Sequence, residues 1–207
     1  MDRMYRHQRY VYDFTRKYYL LGRDRLIHEM KIRDGENILE IGCGTGRNLA
    51  ILAKQYPKTN FFGLDASAAM LEIAQKKVVT NNLDNVRLKN ALADDFSFDK
   101  TFDLEDQFDT IYFSYSISMI PTLKVSIQNA LLNLKSGASF YIVDFYDQRD
   151  LPLWFQKILQ NWLKQFHVKY PRELIPFLED LERKNLGNLT VKSIYRSYSF
   201  IVRFQKN

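Results

Sequence analysis

The amino-acid sequence predicts an α/β protein built on a seven-stranded, mostly parallel sheet with helices on both faces. From position 37 onward, short apolar runs alternate with amphipathic stretches of helical length, an order that favours parallel strands connected by helices. Two more apolar runs follow near the end of the chain, and we expect them to close the sheet as a hairpin. With 46% apolar residues, 207 residues are sufficient for one packed domain.

The five central strands are expected to be apolar on both faces, because helices cover both faces of a parallel sheet. Their predicted ranges are 37–41, 60–64, 86–90, 110–114 and 139–144. Between them, apolar residues at helical spacing predict helices, which cover 47–55, 68–80 and 125–134. The resulting alternation of strand and helix defines a core over residues 34–150.

The two ends of the chain add structure outside this core, within one predicted domain over 1–207. Residues 1–33 are expected to form an N-terminal helical lid, with helix over 5–31. After Pro152, apolar residues at helical spacing predict a helix; they are Trp154, Phe155, Ile158, Leu159, Trp162, Leu163 and Phe166. The C-terminal section, 151–207, is completed by a predicted helix over 172–184 and strands over 189–195 and 199–204.

The charge distribution and the cysteine count limit the classes of partner. The net charge is +6, and a slightly acidic middle section lies between two basic ends. Basic ends can bind nucleic acid or an anionic membrane surface, or they can act on solubility alone. The single cysteine excludes an internal disulfide and a cysteine-rich zinc site, and no metal is expected. The sequence shows no signal peptide and no apolar run of membrane length, which predicts a cytoplasmic protein.

A glycine-rich turn after the first strand is the strongest motif. Leu39, Glu40 and Ile41 end that strand, and glycines at 42, 44 and 46 precede the next helix. Glycines allow a tight turn and a close ligand approach, and the helix offers unpaired N–H groups. The second strand corroborates the motif, because Asp65 follows it, 19 residues after the third glycine. A carboxylate there can accept hydrogen bonds from both hydroxyls of a ribose.

Dinucleotide-binding enzymes use related turns, so the glycine spacing has to distinguish the ligands. The pattern here is E-x-G-x-G-x-G, whereas the dinucleotide fingerprint is G-x-G-x-x-G. This pattern resembles the first motif of the Rossmann-like class I methyltransferases. The resemblance implies S-adenosyl-L-methionine as cofactor and S-adenosyl-L-homocysteine as product. The acid at its head, Glu40, suits the cationic methionine moiety of that cofactor better than a pyrophosphate.

The same resemblance extends over the following strands. The segment from Asp65 to Met70 resembles the second motif, which holds the ribose and one adenine face. Leu92 and Ala93 are expected to meet the adenine edge through their backbone, with Asp94 as a substitute for a family aspartate. The residues expected to bind the cofactor are Tyr19, Gly42, Cys43, Gly44, Gly46, Asn48, Asp65, Ala66, Ser67, Met70, Leu92, Ala93, Ser114 and Tyr115.

Motifs that the sequence lacks narrow the possible classes of methyl acceptor. The fourth strand is followed by Ser114-Tyr115-Ser116-Ile117, unlike the Asn/Asp-Pro-Pro-aromatic motif of enzymes that methylate exocyclic amines of bases. The one cysteine lies inside the glycine turn, where we expect a packing role and no nucleophilic role. A small-molecule or lipid N- or O-methyltransferase is the remaining interpretation.

Segments outside the glycine turn resemble the bacterial betaine-lipid N-methyltransferase family. These segments are 5–9, 12–16, 19–24, 115–121 and 166–168, so the resemblance covers nearly the whole chain. It implies three successive N-methylations of diacylglyceryl-homoserine, giving diacylglyceryl-trimethylhomoserine. It also implies a separate aminocarboxypropyltransferase as partner and a place on the inner face of the membrane, where the lipid substrate lies.

This interpretation assigns roles to further side chains. Methyl transfer needs a neutral amine, and His7, Tyr115 or His167 is expected to accept its proton. The residues expected to bind the lipid substrate are Tyr5, Arg9, Tyr12, Arg16, Ser116 and Met119. Arginines at 9, 16 and 23 recur every seven residues and would meet the homoserine carboxylate or anionic headgroups.

Several alternatives stay open at the level of the sequence. The arginine series can be a solvated basic face, and the helix after Pro152 can pack on the sheet or lie at a membrane interface through its tryptophans. Rival acceptors are phosphatidylethanolamine and a quinone precursor. A basic nucleic-acid-binding protein that keeps the fold is the rival from another class, although nucleic acid is not expected as a partner.

Overall fold

The computed structural model describes residues 20–165 and 170–207. Its centre is one seven-stranded sheet in the order β3-β2-β1-β4-β5-β7-β6. The strands are β1 (Asn37–Ile41), β2 (Asn60–Asp65), β3 (Val86–Asn90), β4 (Phe108–Ser114), β5 (Leu134–Phe145), β6 (Gly187–Ile194) and β7 (Ser199–Lys206). The first five pair in parallel, and β7 pairs antiparallel with both β5 and β6. The predicted fold class is therefore confirmed.

Helices connect the strands and cover both faces of the sheet. In the described ranges they are α1 (Arg23–Glu29), α2 (Arg47–Gln55), α3 (Ala68–Thr80), α4 (Phe98–Phe102), α5 (Leu123–Leu132), α6 (Leu153–Gln165) and α7 (Leu174–Arg183). A short 3₁₀ helix, Ile117–Met119, follows β4. Among these helices, none is both long and apolar enough to cross a membrane.

The core consists of one apolar cluster on each face of the sheet. Side chains of successive strand residues point to opposite faces, so neighbours such as Phe61 and Phe62 belong to different clusters. The first cluster includes Tyr112 and Val143, and it also takes in α1 and one side of α6. The second holds the edge-to-face ring contacts of Phe62 with its neighbours and covers α5 and α7. Both faces of the sheet are therefore buried under apolar side chains, as the apolar strand sequences predicted.

The structure corrects several predicted boundaries. Helix α5 ends at Leu132, before the predicted residue 134, because Leu134 already pairs with Phe108 as the start of β5. Helix α4 was not predicted; Ser97 caps it by accepting a hydrogen bond from the backbone N–H of Lys100. Strand pairing therefore sets the boundary of α5 and a helix cap sets that of α4, and residue periodicity sets neither.

The predicted N-terminal helix is interrupted at Gly22. This residue has a φ of 96°, and a Cβ there would lie 2.5 Å from Cδ1 of Ile194. The chain turns at this point, and α1 starts at the next residue. A continuous helix through position 22 is therefore wrong. The predicted lid residues before Leu20 lie outside the described part of the chain.

Candidate active site

The candidate site lies at the carboxyl edge of the sheet, where β1 stands between β2 and β4. Connections from β1 and β4 leave toward opposite faces there, and ligands of open α/β sheets bind in the crevice that results. A cavity of about 570 Å³ occupies this crevice. It is lined by the ends of β1, β2 and β4, the residues after β3, and the segment around Leu20 and Arg23.

The glycine turn forms one wall of the cavity. Gly42 has a φ of 72°, and a Cβ on it would lie 2.4 Å from Cβ of Ser116, so only glycine fits. Gly46 has a φ of 69° and packs against Ala74, but it does not line the cavity. The predicted cofactor contact of Gly46 stays a prediction; Gly46 shapes the turn, and its N–H donates to the Cys43 carbonyl over 3.0 Å.

Asp65 joins the glycine turn to the end of β2. One carboxylate oxygen, Oδ2, accepts a hydrogen bond from the Gly44 N–H over 2.8 Å, and Oδ1 accepts one from the Ser67 N–H over 2.9 Å. A carboxylate can accept about four hydrogen bonds, and ligand hydroxyls in the cavity are suitable donors to it. Asp65 therefore holds two cavity walls together and presents its charge to the cavity.

Glu40 places a buried carboxyl group in the same wall. Its Oε1 accepts a hydrogen bond from Nδ2 of Asn48 over 2.7 Å, while Oε2 is buried and has no hydrogen-bond partner in the described chain. Burial raises the pKa of Glu40 to about 7, although the Asn48 bond, the nearby Tyr112 hydroxyl and the charge of Arg23 counteract part of this effect. The Tyr112 hydroxyl approaches without completing a hydrogen bond. Glu40 can thus become a fixed anion when a cation binds.

The end of β4 and the 3₁₀ helix form the wall expected to face the methyl acceptor. Ser114 lines the cavity, but its Oγ is buried and makes no hydrogen bond in the described chain. Ser116 also lines it, but its hydroxyl donates to the Ile41 carbonyl over 2.7 Å. Met119, Ile120 and Pro121 continue this wall as an apolar surface. Asp144 positions it, as its Oδ2 accepts the Ser118 N–H over 3.1 Å.

Tyr115 lines the cavity, yet its hydroxyl group is already engaged in a hydrogen bond within the protein. The hydroxyl donates to the backbone carbonyl of Leu21, and the ring packs edge-to-face on Phe145. Burial raises the pKa of Tyr115 well above its ordinary value. This arrangement contradicts the predicted role of Tyr115 as proton acceptor, because the phenol is protonated and already donates its hydrogen.

The structure brings most of the other predicted residues together. The predicted residues that line the cavity are Gly42, Cys43, Gly44, Asn48, Asp65, Ala66, Ser67, Met70, Leu92, Ala93, Ser114, Tyr115, Ser116 and Met119. The remaining predicted residues lie outside the described part of the chain; they are Tyr5, His7, Arg9, Tyr12, Arg16, Tyr19 and His167.

Arg23 also lines the cavity; the sequence placed it in the arginine series expected to meet the homoserine carboxylate or anionic headgroups. It is buried, its Nε donates to the Leu20 carbonyl over 3.3 Å, and its charge acts on Glu40. A buried cation that lines a cavity can bind the carboxylate of a ligand. No local pattern in the sequence marks this role, because the turn at Gly22 brings Arg23 to the cavity.

The sheet order, the glycine turn, the acid after β2 and the cavity between them define an S-adenosyl-L-methionine-dependent methyltransferase. The residues fit that cofactor: Asp65 would hold the ribose, Met70 and Leu92 would flank the adenine, and Glu40 would face the cationic ammonium of the methionine moiety. A family profile described as a methyltransferase domain matches residues 32–193. The chain belongs to that family.

Known relatives differ in how much of each chain is matched. A Listeria monocytogenes demethylmenaquinone methyltransferase is 25% identical over 186 residues, which covers 89% of this chain and 68% of that protein. An uncharacterized protein of Methanocaldococcus jannaschii is 29% identical over 125 residues, and the matched region spans only 32% of its length. A Geobacillus thermodenitrificans tRNA (guanine-N(7)-)-methyltransferase is 34% identical over 97 residues, or 39% of its length.

Solved structures agree with the fold. An S-adenosylmethionine-dependent methyltransferase from Aquifex aeolicus superposes with a TM-score of 0.67 at 19% identity and covers 93% of both chains. A methyltransferase from Methanococcus maripaludis gives a TM-score of 0.68 at 21% identity, over 95% of this chain and 90% of the other. At these identities the likeness establishes the shared fold and not the acceptor.

Proposed function

We propose that the protein methylates the amine of a lipid headgroup, diacylglyceryl-homoserine, and converts it to diacylglyceryl-trimethylhomoserine. The observation that carries this proposal is the composition of the acceptor wall. The apolar residues Leu20, Met119, Ile120 and Pro121 line the cavity, and Arg23 lines it as a buried cation. Apolar lining together with a buried cation suits an acyl-linked headgroup that carries a carboxylate.

Methyl transfer requires little from the protein beyond positioning of the two reactants. When bound, the cofactor supplies a methyl group on a sulfonium, and the amine nitrogen displaces the sulfur as the new C–N bond forms. The protein has to align the amine and exclude water, which lowers the barrier mainly through proximity.

A proton leaves the amine before each of the three methylations. Tyr115 does not serve as the acceptor of that proton, for the reason given above. Asp144 is fully buried behind the wall, and both its oxygens accept backbone N–H bonds. His7 and His167 therefore remain our candidates, together with transfer through water to solvent.

A second candidate acceptor has support from the relatives. Proteins named demethylmenaquinone methyltransferase match 89% of this chain, and the same apolar wall would fit a quinone precursor. Such an acceptor is methylated on carbon and carries no carboxylate. The role of Arg23 toward the acceptor therefore separates the two candidates.

One assay tests both candidates. The full chain is incubated with labelled S-adenosyl-L-methionine and, in separate reactions, with diacylglyceryl-homoserine, phosphatidylethanolamine, demethylmenaquinone and tRNA. We expect label in diacylglyceryl-homoserine, with products that gain one, two and three methyl groups by mass. Asp65→Ala serves as the control that lacks cofactor binding. Label only in the quinone supports the second candidate, and label only in phosphatidylethanolamine or tRNA overturns both.

A further inference from the structure

We propose that helix α6 and the turn between β6 and β7 form a membrane-binding surface that brings the cavity to an anionic lipid bilayer. This inference rests on the proposed lipid acceptor and adds the surface through which the protein reaches it. We call it the α6 surface; it consists of Leu153, Trp154, Lys157, Ile158, Tyr195 and Arg196.

The apolar part of the α6 surface is unusually exposed for side chains of this size. Leu153 is 74% exposed, Trp154 66% and Ile158 59%, and all three lie in the first two turns of α6. The opposite side of the helix is already used, because Leu159 and Leu163 are buried in the core. The other large apolar residues that are exposed in the described chain are spread over several helices and loops; they include Ile51, Val79, Leu92, Val125, Leu132 and Leu186. A contiguous apolar face on a packed helix indicates a partner.

The charges favour an anionic lipid surface as that partner. Helix α6 contains two lysines and no acidic residue. Lys157 is exposed next to the apolar side chains, and exposed Arg196 lies in the neighbouring turn beside Tyr195. Of the two acids shortly before α6, Asp147 pairs with Arg149 over 2.6 Å, and Asp150 accepts a hydrogen bond from the Ser197 hydroxyl. Tryptophan, tyrosine and basic residues together are typical of interfacial helices.

The α6 surface lies beside the cavity. Helix α6 starts eight residues after β5 ends at Phe145, at the same carboxyl edge that carries the cavity. Its buried side belongs to the cluster that includes Leu20 and Tyr115, and both of these line the cavity. The Gln148 N–H donates to the Ser197 carbonyl over 2.8 Å, which fixes the β6–β7 turn against the start of α6. Binding a bilayer through this surface shortens the path of a headgroup to the site.

Co-sedimentation with vesicles tests the proposal. The full chain is mixed with vesicles of phosphatidylcholine alone and of phosphatidylcholine with phosphatidylglycerol, without any methyl acceptor. We expect stronger binding to the anionic vesicles, and a loss of roughly 10-fold in affinity for Leu153→Gln and for Ile158→Gln, or about 1.4 kcal/mol each. Lys157→Gln should reduce the preference for the anionic vesicles.

The matched control is Leu132→Gln. Leu132 is 71% exposed and ends α5, at the opposite edge of the sheet from the cavity. Equal vesicle binding by Leu132→Gln and Leu153→Gln, or no binding by the unmodified protein, overturns the proposal. So does a dimer that Leu153→Gln converts to monomers with vesicle binding unchanged, since the surface would then join two copies.

The outcome is separable from that of the proposed function. Methylation of diacylglyceryl-homoserine in detergent does not require a bilayer, so it should persist in Leu153→Gln with an unchanged kcat. If the lipid is methylated in detergent but vesicle binding does not depend on α6, only the proposed membrane-binding surface is overturned. If vesicle binding depends on α6 but diacylglyceryl-homoserine is not methylated, only the proposed methyl acceptor is overturned.

Discussion

Replacing Glu40 with glutamine is expected to stabilise the folded protein above pH 7 and to weaken cofactor binding at the same time. The substitution keeps an oxygen that can accept the hydrogen bond from Asn48. It removes a carboxylate whose Oε2 is buried without a hydrogen-bond partner in the described chain. The two effects have opposite signs because the carboxylate is costly in the empty site and useful beside a bound cation.

The size of the stability change follows from the pKa of Glu40, which burial raises from 4.5 to about 7. Below pH 4.5 the group is protonated in both the folded and the unfolded chain, so Glu40→Gln changes little. As the pH rises to about 7, the unfolded chain ionises first, and the folded state loses relative stability. At 1.36 kcal/mol per pH unit, this loss approaches ~3 kcal/mol above pH 7. We expect a gain of about 1–3 kcal/mol, because the glutamine amide is also buried.

Urea unfolding at pH 8 and pH 5 measures the stability change, and calorimetric titration with S-adenosyl-L-methionine measures affinity. Loss of a charged partner should weaken cofactor binding by about 1.5–3 kcal/mol at pH 8. In the unmodified protein, affinity should fall as the pH drops below 7, and this dependence should vanish in Glu40→Gln. The exposed Glu179→Gln is the control, expected within about 0.5 kcal/mol of the parent. A stability gain as large at pH 5 as at pH 8, or unchanged affinity, would refute the reasoning.

Three further predictions concern the turn and the acceptor wall. Asp65→Ala should weaken cofactor binding roughly 10- to 100-fold by calorimetry and lower Tm, because the Gly44 and Ser67 N–H groups lose their acceptor; unchanged affinity would place the ribose elsewhere. Gly42→Ala should destabilise the protein in urea by more than Gly137→Ala, since both glycines have positive φ but only Gly42 would place a Cβ against a side chain; equal losses would show that φ alone matters. Asp144→Asn should raise KM for the methyl acceptor and leave cofactor affinity unchanged, because the 3₁₀ helix loses its anchor; a change in cofactor affinity alone would contradict this assignment.

Local patterns in the sequence were sufficient for the strands and for the cofactor side of the site. The strand at 37–41 and the helices at 47–55 and 68–80 were predicted with their observed bounds, since apolar periodicity reports which side chains are buried. The glycine turn and Asp65 were equally accessible, because backbone freedom and a carboxylate at a strand end are local requirements.

The acceptor side of the site depends on contacts between residues far apart in the chain. The Tyr115 hydroxyl reaches the carbonyl of Leu21, 94 positions away, and Ser116 bonds to Ile41 across 75 positions. No periodicity encodes such pairs, so the sequence alone suggested a catalytic Tyr115 and did not predict that Arg23 is buried. The tertiary structure decides these roles, because burial and hydrogen bonding determine whether a hydroxyl or a charge is free to act.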